Sequence, residues 1–313
     1  MILEPRVLNR RLKLRDLDTL MTVISAGGMR KAAGQLHLSQ PAVSKAVAEL
    51  EDLLGVSLID RSRQGVAVTP SGAALIRRSE AIFDELQQAV RDLRHIADPD
   101  GGDIRMASTE PIMGGLLSTA MLRMKIHYPK VNFIAESGGT PQRQLQFLLD
   151  HESDFVVMRP LGITLDPSVQ AEPLVKDRLL VVASRTHPFA SRRKLGLADL
   201  LDQSWIIGPV ELGADSPLVT SFGAAGLPLP RFHVTSGSLN ARFALLASGQ
   251  FITLMPSSYW HFAHGRKDLK VLPVDIGRWH TPTMMLTLRN RSLSPAVLAF
   301  QDIVRDLVRP SAD

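Results

Sequence analysis

Gln40 and Ser44 stand four residues apart and Lys45 follows directly, so a helix would carry the three side chains on adjoining parts of its surface. An amide, a hydroxyl and an ammonium placed there can hydrogen-bond to the edges of nucleic-acid bases, and Lys45 can also meet a guanine or a phosphate. Pro41 and Ala48 share this side and are small enough to let a backbone come close. Val43, Val47, Leu50 and Leu54 stack on the other side and must face a core. Such a helix fits the DNA major groove; it also fits the outer helix of a small bundle, whose polar face simply meets water. A second group of residues lies later in the chain. Ser108-Thr109, Gly138-Gly139-Thr140, Arg159 and Ile207-Gly208-Pro209 each stand where a strand-like run ends. Hydroxyls and helix N–H groups at such ends favour an anion or a polar oxygen, and Arg159 can pair with a carboxylate. The plainer roles are helix capping for Ser108 and Thr109, and an ion pair for Arg159.

Helices must hold the first group. Leu17, Leu20, Met21, Val23 and Ile24 form one apolar face, which Gly27-Gly28 closes. A short helix near 30–37 follows. Ser39 is an N-cap with Pro41 in the first turn, and Gly55 stops the third helix after Leu54. Two strands, Leu58–Arg61 and Val66–Thr69, flank a turn at Arg63-Gln64-Gly65. Thr69-Pro70-Ser71-Gly72 opens a long helix to about Ala97. It carries a heptad of Leu75, Ile82, Ala89 and Ile96 with Ser79, Leu86 and Leu93, flanked almost entirely by polar residues. A strip this narrow suits a helix–helix seam between two chains, through Leu75, Ile82, Leu86 and Leu93, better than a globular core face. Asp98-Pro99-Asp100-Gly101-Gly102-Asp103 has the composition of a hinge. Beyond it, strands and helices alternate to the end of the chain, as in an α/β domain with a mostly parallel sheet. The length of that region suits two lobes.

Charge and composition narrow the function. Residues 1–78 hold twelve Lys and Arg against seven Asp and Glu, while residues 79–313 hold equal numbers, so the net +5 sits in the first quarter. A basic head on a neutral body suits a polyanion partner. With no cysteine, disulfides, thiolate zinc sites and Fe–S clusters are excluded. No apolar run reaches membrane-helix length, and the charged start (Arg10, Arg11, Lys13, Arg15) is unlike a secretory signal, so a cytoplasmic chain with no membrane partner is expected. No nucleophile elbow, Walker loop or dinucleotide fingerprint is present, and no enzymatic activity or cofactor is expected. His261 and His264 lack a carboxylate partner for a metal, and Asp98, Asp100 and Asp103 lack calcium-loop spacing, so no metal site is expected.

The run from Ala32 to Glu51 (AAGQLHLSQPAVSKAVAELE), with Leu53–Arg61 and Val68-Thr69-Pro70-Ser71-Gly72, resembles the LysR-type transcriptional regulators. Later marks agree in layout: Tyr128-Pro129-Lys130-Val131, Glu172-Pro173-Leu174, His187-Pro188-Phe189-Ala190 and Ala247–Pro256. Ile59-Asp60 departs from the family's more usual Phe-Glu; the difference touches packing under the wing and not the reading helix. The resemblance implies a multidomain α plus α/β protein. A winged helix-turn-helix would occupy residues 1–72 and a dimerising linker helix with its hinge 73–103. A two-lobed effector domain like the type 2 periplasmic binding proteins would occupy 104–313. Lobe I would comprise 104–162 and 266–313, and lobe II 163–265, with crossings near Arg159–Pro167 and Ser257–Arg266. The expected function is sequence-specific DNA binding switched by a small molecule held between the lobes. DNA contacts are assigned to Gln40, Pro41, Ser44, Lys45, Arg61 and Arg63. Effector contacts are assigned to Ser108, Thr109, Thr140, Arg159, Gly208 and Pro209, with an organic acid favoured and a sugar as the alternative. Expected partners are double-stranded promoter DNA, the effector, a second copy of the chain (a dimer, and from it a tetramer) and RNA polymerase. The rival reading is a small-molecule binding protein whose head serves assembly alone.

Overall fold

The computed structural model describes residues 11–62, 65–98, 101–263, 266–278 and 280–309. Arg63, Pro99, Asp100 and His264 lie outside them. The chain divides into two compact units, Met1–Gln87 and Gln88–Asp313.

In the first unit, α1 (Leu14–Ser25), α2 (Met29–Gln35) and α3 (Gln40–Leu54) precede an antiparallel hairpin of β1 (Ile59–Ser62) and β2 (Gly65–Val68). Leu17, Leu20 and Val23 from α1, Ala32 and Ala33 from α2, and Val43, Val47 and Leu50 from α3 make one core with Leu58 and Ile59. Each helix gives this core one stripe, so the spacing read in the sequence becomes a trihelix with a wing. The long helix α4 (Pro70–Ala97) starts at Thr69, whose hydroxyl accepts the Gly72 N–H at 3.0 Å and donates to the Ser57 carbonyl at 2.8 Å.

The second unit holds two five-stranded sheets, with helices α5 (Ser118–His127), α6 (Pro141–Leu149), α7 (Pro217–Ala224) and α8 (Leu239–Leu246) between their strands. The first has the order β4-β3-β5-β12-β6, with β3 Gly101–Ser108, β4 Lys130–Ser137, β5 Phe155–Met158, β6 Val169–Val175 and β12 Thr283–Leu288. The second has the order β11-β7-β10-β8-β9, with β7 Leu179–Ser184, β8 Ser204–Ile207, β9 Phe232–Thr235, β10 Phe251–Pro256 and β11 Leu269–Val271. Both faces of the first sheet are covered. Phe155 and Val157 pack with Phe300 of the C-terminal helix on one side, and Val156 and Met158 pack with Leu145 and Leu148 on the other. Burial on both faces explains why β5 reads as an unbroken apolar run.

Three expectations change. Each sheet pairs two of its neighbours in parallel and two antiparallel, so neither is mostly parallel. Gly101-Gly102-Asp103 belong to β3, in register with Lys130, Val131 and Asn132, and are not a free hinge. The lobe boundaries also move. β6 joins the first sheet and β11 the second, so the chain crosses at 176–178 and 272–282. The two crossings run side by side, with an antiparallel bridge between Arg178 and Arg278. Lobe I therefore keeps residues to 175, and lobe II runs on through 271.

Candidate functional site

The head presents α3 as the sequence predicts. The Ser39 hydroxyl accepts the Ala42 N–H at 3.3 Å, Pro41 sits in the first turn, and Gly55 closes the helix in the left-handed region at φ 69°. With Val43, Val47 and Leu50 buried, Gln40, Pro41 and Lys45 are exposed and Ser44 is half-buried. Lys45 Nζ lies 3.7 Å from Glu49 Oε1, but both side chains are well over half exposed, and such a pair is worth a fraction of a kcal/mol. The backbone of Arg61 lies on β1, in register with Val66; its side chain is outside the described residues.

Two residues that position the head escaped the sequence reading. Glu51 Oε1 accepts the N–H groups of Leu58 at 2.8 Å and Ile59 at 3.2 Å, which ties the wing to α3. At Gly72 a Cβ would overlap the Leu58 carbonyl oxygen, so only glycine lets the start of α4 lie against the wing. The role of Glu51 rests on partners seven and eight residues on, which helix spacing does not reveal.

The effector-side residues gather at the C-terminal ends of strands in both lobes, where open α/β sheets hold ligands. Ser108 and Thr109 are not the helix caps that were their plainer reading, whereas Arg159 takes the ion pair that was its plainer reading. Ser108 has no exposed surface, and its hydroxyl donates to the Val157 carbonyl at 2.6 Å, so it joins β3 to β5. Thr109 is half-buried at the start of the next helical segment, and its hydroxyl makes no capping bond. The exposed Thr140 caps helix α6 (Pro141–Leu149), accepting the Arg143 N–H at 3.3 Å. Arg159 is held by the chain itself. Its Nη2 lies 3.0 Å from Asp177 Oδ2 and 3.2 Å from Thr283 Oγ1, and its Nε donates to the Thr281 carbonyl at 3.0 Å. Burial pulls the Arg159 pKa down, opposed chiefly by Asp177 and further by Glu211. Asp177 also accepts the Ser258 N–H at 2.8 Å. This carboxylate, in the first crossing, therefore gathers both lobes around one arginine.

In lobe II, Gly208 is buried and Pro209 is exposed. A Cβ at Gly208 would overlap Arg242 and Glu211, which form a two-bonded pair at 3.1 and 3.1 Å. Arg242 also donates to the Ser236 carbonyl at 3.0 Å and the Leu254 carbonyl at 3.2 Å. Glu110, next to Thr109, reaches from lobe I into lobe II. Its Oε2 accepts the N–H of Leu239, the first residue of helix α8 (Leu239–Leu246), at 2.5 Å. Sequence spacing does not reveal Glu110, Asp177, Glu211 or Arg242: the Arg159–Asp177, Arg242–Glu211 and Glu110–Leu239 contacts span 18, 31 and 129 residues.

Comparison with known proteins agrees with this arrangement. The family model "Bacterial regulatory helix-turn-helix protein, lysR family" matches residues 14–73, and "LysR substrate binding domain" matches residues 97–309. The chain is 28% identical over 295 residues to the HTH-type transcriptional regulator PcaQ of Agrobacterium fabrum, covering 90% of each chain. It is 27% identical over 290 residues to the regulator GbpR of Azospirillum brasilense, covering 92% of this chain and 84% of that one. Among solved structures, full-length OxyR C199D from Pseudomonas aeruginosa shares the fold with a TM-score of 0.61 at 21% identity, covering 96% of each chain. Full-length CbnR complexed with its target DNA shares it with a TM-score of 0.53 at 22% identity, covering 95% of this chain and 100% of that one. With a helix-turn-helix head and a substrate-binding body both matched, the chain belongs to the LysR family, whose members are transcriptional regulators and not enzymes.

Proposed function

We propose that this regulator binds double-stranded promoter DNA as a dimer, through α3 and the wing, and that a small molecule between the two lobes sets its activity. The observation that carries the DNA reading is the division of α3: three buried aliphatics on one side, Gln40, Pro41 and Lys45 exposed on the other. Gln40, Pro41, Ser44 and Lys45 enter the major groove, while Arg61 and Arg63 on the wing meet phosphates. CbnR, seen with its target DNA, supports such a contact by its shared fold. Promoter binding makes RNA polymerase a further partner and the cytoplasm the site of action. No helix among the described residues is long and apolar enough to cross a membrane.

For the effector, Thr109 offers a half-buried hydroxyl not spent on a helix cap, and Thr140, Arg159, Gly208 and Pro209 are the further contacts of this reading. Organic acids and sugars are the two classes the sequence brings forward.

A footprint on DNA upstream of the chain's own gene tests the DNA reading. Lys45→Ala should relax one base position at a cost of roughly 1–3 kcal/mol if Lys45 reads a base, or lower the salt slope by about 1 if it meets a phosphate. An unchanged footprint and affinity would remove α3 as the reader. Thr109→Val should weaken the effector response of the same footprint while leaving effector-free binding intact. A binding protein that uses its head for assembly alone would give no sequence-specific footprint.

A further inference from the structure

The cleft already contains its own counter-charges. Three places in it would attract an anion: Arg159, Arg242 and the start of α8. Each is met by a carboxylate of the same chain: Asp177 at 3.0 Å from Arg159, Glu211 on both terminal nitrogens of Arg242, and Glu110 on the Leu239 N–H. The last is the most telling, because Glu110 comes from the opposite lobe to occupy the helix end. The first-turn N–H groups and dipole there would otherwise suit a ligand carboxylate, sulfate or phosphate. Ser238 takes a second N–H of that turn, from Ala241, at 3.4 Å. Gln144, beneath the loop after β4, adds a buried amide oxygen with no hydrogen-bond partner while its Nε2 donates to Gly138 O. Carboxylates of the chain therefore hold these donors, and an entering anion would face Glu110 and Glu211.

Resting on the reading of this cleft as the effector site, we propose that Glu110 sets the charge class of the effector. It fills the anion position on α8 itself, so the cleft rejects anions and takes a molecule without negative charge whose O–H or N–H groups meet these acceptors. This favours the sugar class over the organic acid. Glu110 is a specificity-determining residue, and its side chain also links the lobes.

The test is titration calorimetry of the full chain with sodium sulfate and with sodium benzoate, in a non-phosphate buffer at constant ionic strength made up with chloride. The wild-type chain should show no saturable binding of either. Glu110→Ala frees the helix end and should gain binding by about tenfold or more. Glu110→Gln keeps an acceptor near Leu239 but drops the charge, and should gain less; it also serves if the alanine variant folds poorly. Adding Leu239→Pro, which removes the amide at a first-turn position that tolerates proline, should take most of the gain away. Sulfate and benzoate binding no stronger in either Glu110 variant than in the wild type would overturn the proposal. So would saturable wild-type binding of either anion that Glu110→Ala weakens. Thr109→Val is read on the DNA footprint and not by anion binding, so the effector reading and the charge assignment can fail separately.

Discussion

At the scale of single residues, the deciding question is whether a side chain's partner lies near in sequence. Gln40, Ser44 and Lys45 were legible because a helix fixes its faces from local spacing alone, and Val43, Val47 and Leu50 mark the buried side unambiguously. For Arg159 an ion pair was legible but its partner was not, because that carboxylate stands eighteen residues on, across a strand whose place in the sheet the sequence did not show. That pair carries a prediction. Asp177→Ala would leave the Arg159 guanidinium buried without its counter-charge and strip an acceptor from Ser258. A buried pair broken on one side costs about 3–5 kcal/mol. Urea unfolding followed by tryptophan fluorescence should show the effector-domain transition shifted to lower denaturant. Asp177→Asn, which keeps the acceptor for Ser258, should lose less. An unchanged midpoint for Asp177→Ala would mean that Arg159 finds water or another partner at no cost.

Among elements, the helices of the head and most strands of the body follow from periodicity, and the one strand that was missed shows why pattern can fail. β6 contains Glu172 and Pro173, which break any alternation. It tolerates them because it is the edge of its sheet, where a missing N–H goes unneeded, and because its register with β12 slips between Thr283 and Met284. Missing β6 is what displaced the first expected lobe crossing, while the second moved because β11 pairs with β7 in the other sheet. Glu172 there holds Arg305 of the C-terminal helix with nitrogen–oxygen distances of 2.9 to 3.2 Å. The contact between α4 and the wing gives a second prediction, with a sign that separates two effects. By helix propensity alone, Gly72→Ala would stabilise by up to about 1 kcal/mol. The overlap with Leu58 backbone predicts the reverse: destabilisation by about 1–3 kcal/mol, as for an overpacked core. Thermal unfolding of the head should show a lower midpoint, with weaker DNA binding if the wing is displaced. A raised midpoint would show that the start of α4 can move away from Leu58 freely.

For the whole molecule, the long helix bears on assembly. Along α4, Ile82 is 41% exposed, Leu86 44%, Leu93 67% and Ile96 75%. Leu75 differs from the rest of the expected seam, since it packs against the core of the head. Aliphatic side chains this open, repeated along one helix, fit a seam with a second chain. Leu86→Glu should therefore dissociate the dimer in sedimentation velocity, and specific DNA binding should fall with it because one head reaches one half-site. In a monomer the same substitution on an exposed position would change stability by less than about 0.5 kcal/mol and alter neither readout. A Leu86→Glu chain that still sediments as a dimer would place the seam elsewhere.

The path of the chain through its two sheets also sets an order of events during synthesis. Lobe II is one uninterrupted stretch, from β7 to β11, so all its strands have been synthesised once residue 271 is made. Lobe I begins earlier yet must wait. β12 lies between β5 and β6, so β6 has no neighbour to pair with until residues 283–288 arrive. The nascent chain thus carries an unpaired strand and an open sheet edge through more than a hundred residues of translation. That interval is when pausing, a premature stop or a shortage of chaperone would do most harm. A chain cut short before β12 would retain every strand of the younger lobe and leave the older one divided.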